Sequence, residues 1–92
     1  MLAVDTNVLL RLLVRDDPKQ AQSADQFVAK GGWVSHVVLA ETLWVLDAVY
    51  ERSAPQLIEA LDLLLAHESL ALQDADTVRA ALDHFRAKPA LG

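Results

Sequence analysis

Apolar positions along this chain recur at two different periods. Three short runs, residues 2–4, 33–35 and 70–72, are compact and apolar enough to read as strands. Between them lie stretches with helical spacing. Residues 8–14 form a brief, mostly apolar helix with Arg11 and Arg15 four apart on one side. Asp17-Pro18 then starts a second helix, with Asp as N-cap and Pro at the first helical position. That helix is expected to bury Ala21, Ala24, Phe27 and Val28 and to end at Gly31-Gly32. Residues 37–50 are apolar almost all round, which predicts a helix in the middle of the core.

Ser53-Ala54-Pro55-Gln56 has the form of a capping box, and the helix after it sets Leu57, Ile58, Leu61, Leu64 and Leu65 on one stripe. Asp74 is expected to cap a last helix that buries Val78, Ala81, Leu82 and Phe85, followed by a loop, AKPALG. Strands alternating with helices predict an α/β domain around a parallel sheet.

Composition narrows the class. The sequence of 92 residues suits one small domain, and with 53% hydrophobic but only 5% aromatic residues its core must be built from Leu, Val and Ala. The absence of cysteine excludes disulfides and thiolate metal sites and fits a reducing cytoplasmic setting. No apolar run approaches the roughly 18 residues that span a bilayer, and no signal peptide is expected. A net charge of −5 without a basic tract argues against nonspecific wrapping of nucleic acid. Nucleic acid remains possible as a substrate if bound cations neutralise its phosphates.

Two acids stand out. Asp5 follows the first strand, and ligands of open α/β sheets bind beyond the carboxyl ends of the strands; the plainer reading is that Asp5 or Thr6 caps the next helix. Glu41 is flanked by VVLA and TLWV, so partial burial is expected, and a buried carboxylate needs a cation, donors or a raised pKa. The alternatives are a narrow wet stripe or pairing with Arg11. Together, Asp5 and Glu41 suit a hard cation such as Mg²⁺ or Mn²⁺, and one of its waters can attack a phosphodiester. Two carboxylates alone make an incomplete site.

The other residues carry plainer readings. Asp47 lies about 120° round the helix from Glu41 and reads as a polar edge. Asp74 and Asp76 read as helix N-terminal charges; Arg11 and Arg15 could steer a phosphate, but a solvated helix face is the plainer reading. His36, His67 and His84 show no metal-ligand spacing, and Trp33 and Trp44 read as core.

VDTNVLLRLLVRDDP, followed by VVLAETLWVLDAVY, resembles the PIN-domain ribonucleases, in particular the VapC-type toxins of bacterial toxin–antitoxin pairs. The resemblance implies a PIN-like three-layer α/β fold with a central parallel sheet. It implies Asp5 and Glu41 as catalytic metal ligands, Thr6 as support for the Asp5 carboxylate and Asn7 in an outer shell. It also implies Mg²⁺- or Mn²⁺-dependent cleavage of RNA by an activated water, in the cytoplasm, under the control of a cognate antitoxin. Family members continue into a helix and a strand that carry a third and a fourth acid. Residues 1–92 are therefore expected to form a single, incomplete PIN domain truncated at its C-terminus. The strand flanking the first strand in the family would then be missing, which exposes residues 2–4 as an apolar edge and predicts a homodimer or other self-association.

Two further readings are carried alongside. One is a catalytically inactive PIN module that binds an antitoxin-like partner or itself. The other, phosphoryl transfer through an aspartyl intermediate, fits less well, because Asn7 stands where the Asp-x-Asp pattern needs an acid.

Overall fold

The computed structural model describes residues 2–87, with side chains through Asp83. The Phe85 and His84 side chains and residues 88–92, most of the stretch expected as a loop, lie outside the described residues. Eight elements follow one another: β1 (Leu2–Ala3), α1 (Thr6–Val14), α2 (Pro18–Val28), β2 (Gly32–Val34), α3 (His36–Ala48), α4 (Ala54–Ala66), β3 (Leu70–Leu72) and α5 (Ala75–Ala87). The three strands form one parallel sheet in the order β1-β2-β3. Parallel neighbours cannot be joined by a tight turn, and two helices make each crossover, α1–α2 and α3–α4.

Local chemistry sets the helix starts. Asp5, Asp17, Ser35 and Ser53 stand in extended conformation, and the side chain of each accepts from a backbone N–H of the helix that follows. The Ser53–Gln56 capping box is complete: the Ser53 N–H donates to Gln56 Oε1 at 2.7 Å and the Gln56 N–H to Ser53 Oγ at 3.4 Å. Two starts fall earlier than expected. α1 begins at Thr6 because Asp5, rather than a later residue, supplies the cap, and Ser35 leaves the strand to cap α3.

Val4, Leu9, Val28, Val34, Leu39, Leu64, Leu70 and Leu72 form the main buried cluster. α1 packs on α2 and α3, and α4 packs on β3 and α5. Gly32 is required at the β1–β2–β3 contact by space, since a Cβ there would run into the Val4 side chain and press on Leu70.

Several expected core positions are open to solvent. α3 buries Leu39, Thr42 and Leu46, but its opposite face, with Val37 74% and Trp44 66% exposed, is uncovered. Helical spacing places those two side chains seven residues apart, two turns along one face, and among the described residues no element packs over it. Phe27 and Trp33 are also about two-fifths exposed and Ala81 is exposed, whereas Leu82 is buried. Asp74 adopts a left-handed conformation (φ 49°), so its carbonyl accepts the Val78 N–H at 3.1 Å while no side-chain cap forms among the described residues.

Candidate functional site

The parallel sheet brings the chain segments that follow β1, β2 and β3 to one edge. The Val4 N–H donates to the Trp33 carbonyl and the Gln73 N–H to the Val34 carbonyl, both at 2.8 Å. The ladder register thus carries on past the strand ends and sets Asp5 beside Ser35 and Ser35 beside Gln73. This carboxyl edge is where open α/β sheets take their ligands.

Asp5 is exposed there. Its Oδ1 accepts the Val8 N–H at 2.9 Å, and its Oδ2 accepts no hydrogen bond among the described residues. Capping and an oxygen not engaged by the described residues therefore coexist in one carboxylate. The donor that steadies it is the Val8 backbone; the side chains of Thr6, half-buried, and Asn7, exposed, make no hydrogen bond among the described residues.

Glu41 departs from expectation. It lies on the uncovered face of α3 with Val37, Ala40 and Trp44, and it is exposed rather than partly buried. With water available, no buried partner is needed, and among the described residues neither Arg11 nor any other cation pairs with it. The wet-stripe alternative describes its setting.

The donor set fits a divalent cation in kind and falls short in number. Asp5 and Glu41 offer hard carboxylate oxygens free of competing cations, the type that Mg²⁺ and Mn²⁺ prefer. Among the described residues, however, no three His, Asp or Glu side chains converge into a metal-holding group.

A second feature of the carboxyl edge has a faint trace in the sequence. The His36 N–H donates to Gln73 Oε1 at 3.0 Å, and His36 Nε2 lies 3.9 Å from Asp74 Oδ2. Its signal was positional, since these residues directly follow strands two and three; read by ligand spacing alone, His36 looks isolated. The described cavity, about 170 Å³, lies elsewhere, between the C-terminal parts of α1 and α3 and the first half of α4, lined by Leu13, Leu46, Arg52 and Glu59 among others.

The comparisons with known proteins bear on this geometry. The family model described as PIN domain matches residues 2–91. No curated protein and no solved structure matches the chain. No helix among the described residues is long and apolar enough to cross a membrane.

Proposed function

The chain belongs to the PIN-domain family, whose members are typically metal-dependent nucleases, and from that premise we propose an endoribonuclease of the VapC toxin type. The observation that carries this reading is the exposed Asp5 carboxylate, held by its cap at the carboxyl edge of the sheet with its second oxygen accepting no hydrogen bond among the described residues. Asp5 and Glu41 would hold Mg²⁺ or Mn²⁺ there, with water filling the remaining positions. The bound ion would supply an activated water and neutralise phosphate charge. This chain's own residues do the rest. The Val8 N–H fixes the Asp5 carboxylate, and the Thr6 and Asn7 side chains remain available to water or substrate beside it. The substrate is RNA, the setting cytoplasmic, and a cognate antitoxin is the regulating partner.

A second reading, a non-catalytic module that binds an antitoxin-like partner or itself, is favoured by the exposed Val37 and Trp44 on α3. The two separate in one set of measurements. Asp5→Asn and Glu41→Gln are compared with the parent for RNA cleavage in Mg²⁺ and for Mn²⁺ binding by calorimetry. Asn is as good an N-cap as Asp, so Asp5→Asn keeps the fold while removing the charge. The nuclease reading expects saturable Mn²⁺ binding and cleavage, both lost in each variant. Undiminished cleavage in both variants removes these residues from the reaction, and an absence of Mn²⁺ binding and cleavage in the parent favours the interaction module.

A further inference from the structure

We propose that His36 is an RNA-contacting residue of the carboxyl edge, with Asp74 as the group that positions its ring. Three observations converge on it. First, the segments after the strands (residues 5–7, 35–36 and 73–74) contain two carboxylates and only one side chain able to carry positive charge, His36. On a chain of net charge −5, a phosphodiester approaching Asp5 meets repulsion unless a donor stands beside it. Second, β2 lies directly next to β1 in the sheet, so His36 follows the strand adjacent to the one that Asp5 follows.

Third, two consecutive residues of the β3–α5 turn are committed to His36. Gln73 Oε1 accepts its backbone N–H at 3.0 Å, which anchors the main chain. Asp74, in a left-handed conformation uncommon for a residue with a side chain, has its carboxylate 3.9 Å from Nε2. That separation is too long for a hydrogen bond and suits an electrostatic hold on the ring. Both side chains are about half exposed or more, 45% for His36 and 67% for Asp74. A surface pair of this kind adds little to stability, so the arrangement makes better sense as a way to aim a ring than as a brace for the fold. With Nε2 toward Asp74, Nδ1 is the nitrogen left for an RNA group, and it donates to a phosphate oxygen when the ring carries both protons.

The identity of the ligand rests on the nuclease reading above. The test therefore measures binding directly, by anisotropy of a labelled single-stranded RNA oligonucleotide in Mg²⁺, on the Glu41→Gln chain that the reading expects not to cut. His36→Ala is expected to weaken binding about tenfold, the size of one hydrogen-bonded contact, with no change in thermal midpoint. His36→Arg is expected to restore it. His36→Ala combined with Asp74→Ala should bind no more weakly than His36→Ala alone, because a positioning residue has no effect once its ring is gone. Unchanged binding in His36→Ala, or weaker binding in the double variant than in His36→Ala alone, overturns the proposal while leaving the nuclease reading intact. RNA binding that depends on His36 in a parent that cuts nothing would overturn the nuclease reading and uphold the contact. A parent that neither binds nor cuts RNA overturns both.

Discussion

Single residues on this chain act through the atoms they leave free as much as through those they engage. Asp5 serves as a cap with Oδ1, and its Oδ2 accepts no hydrogen bond among the described residues, so capping does not use up the carboxylate. Glu41 is the reverse case: its apolar neighbours in sequence suggested burial, but they lie on different sides of α3, and the side it occupies is wet. Arg15 shows a third pattern. It closes α1 in a left-handed conformation (φ 55°), and its guanidinium grips Asp25 of α2 through two bonds of 2.9 and 2.8 Å. The hydrogen bond from Arg15, more than simple charge attraction from Arg15 and His67, holds the Asp25 carboxyl below its ordinary value, while desolvation opposes the shift. A carboxylate with a depressed folded pKa contributes stability above its unfolded pKa and loses it as pH falls through the folded value. Asp25→Asn is therefore expected to flatten the loss of stability below about pH 4 and to change little at pH 7, where an exposed pair contributes modestly. Urea melts from pH 7 down to pH 2 would read this; superimposable acid limbs for parent and variant would refute it.

Elements were legible in the sequence wherever their signals are local. Asp17-Pro18 and Ser53 to Gln56 act within one helical turn, so their caps could be read without knowing the fold. The faces of α3 could not. An apolar helix surface covered by its own chain and one left open have the same composition, and only the packing of α1 and α4 decides which is which. Gly31-Gly32 illustrates the same divide. The pair was legible as a helix end, and Gly31, at φ 96°, does provide the left-handed turn. Gly32 has a different role that depends on tertiary structure: it lies at the start of β2 where the Val4 and Leu70 side chains close over it. Gly32→Ala should therefore destabilise the fold by about 1–3 kcal/mol, the usual cost of forcing an extra carbon into a packed site. Guanidinium denaturation would show it as a lower midpoint, and a loss under about 0.5 kcal/mol, typical of open surface sites, would mean that Val4 moves aside freely.

At the scale of the molecule, the fold leaves two apolar features exposed to water. β1 is an edge of the described sheet, with Leu2 54% exposed, and α3 presents Val37 and Trp44 to water. Exposed edges and apolar faces are both routes to self-association, but they differ in size. A two-residue strand offers only a couple of backbone hydrogen bonds, each with a net value of about 1 kcal/mol. Burying most of a Trp removes some 150–250 Å² from water, which at about 25 cal/mol per Å² amounts to several kcal/mol before association entropy. The α3 face should therefore dominate. Multi-angle light scattering over a range of concentrations is expected to give a mass above the 10.1 kDa of one chain. Trp44→Lys should return it to the single-chain value with little effect on the denaturation midpoint, because its side chain already meets solvent. Leu2→Lys should only shift the transition to higher concentration. If Leu2→Lys alone abolishes association, pairing of β1 edges is the contact; if the parent has the single-chain mass throughout, neither surface drives self-association.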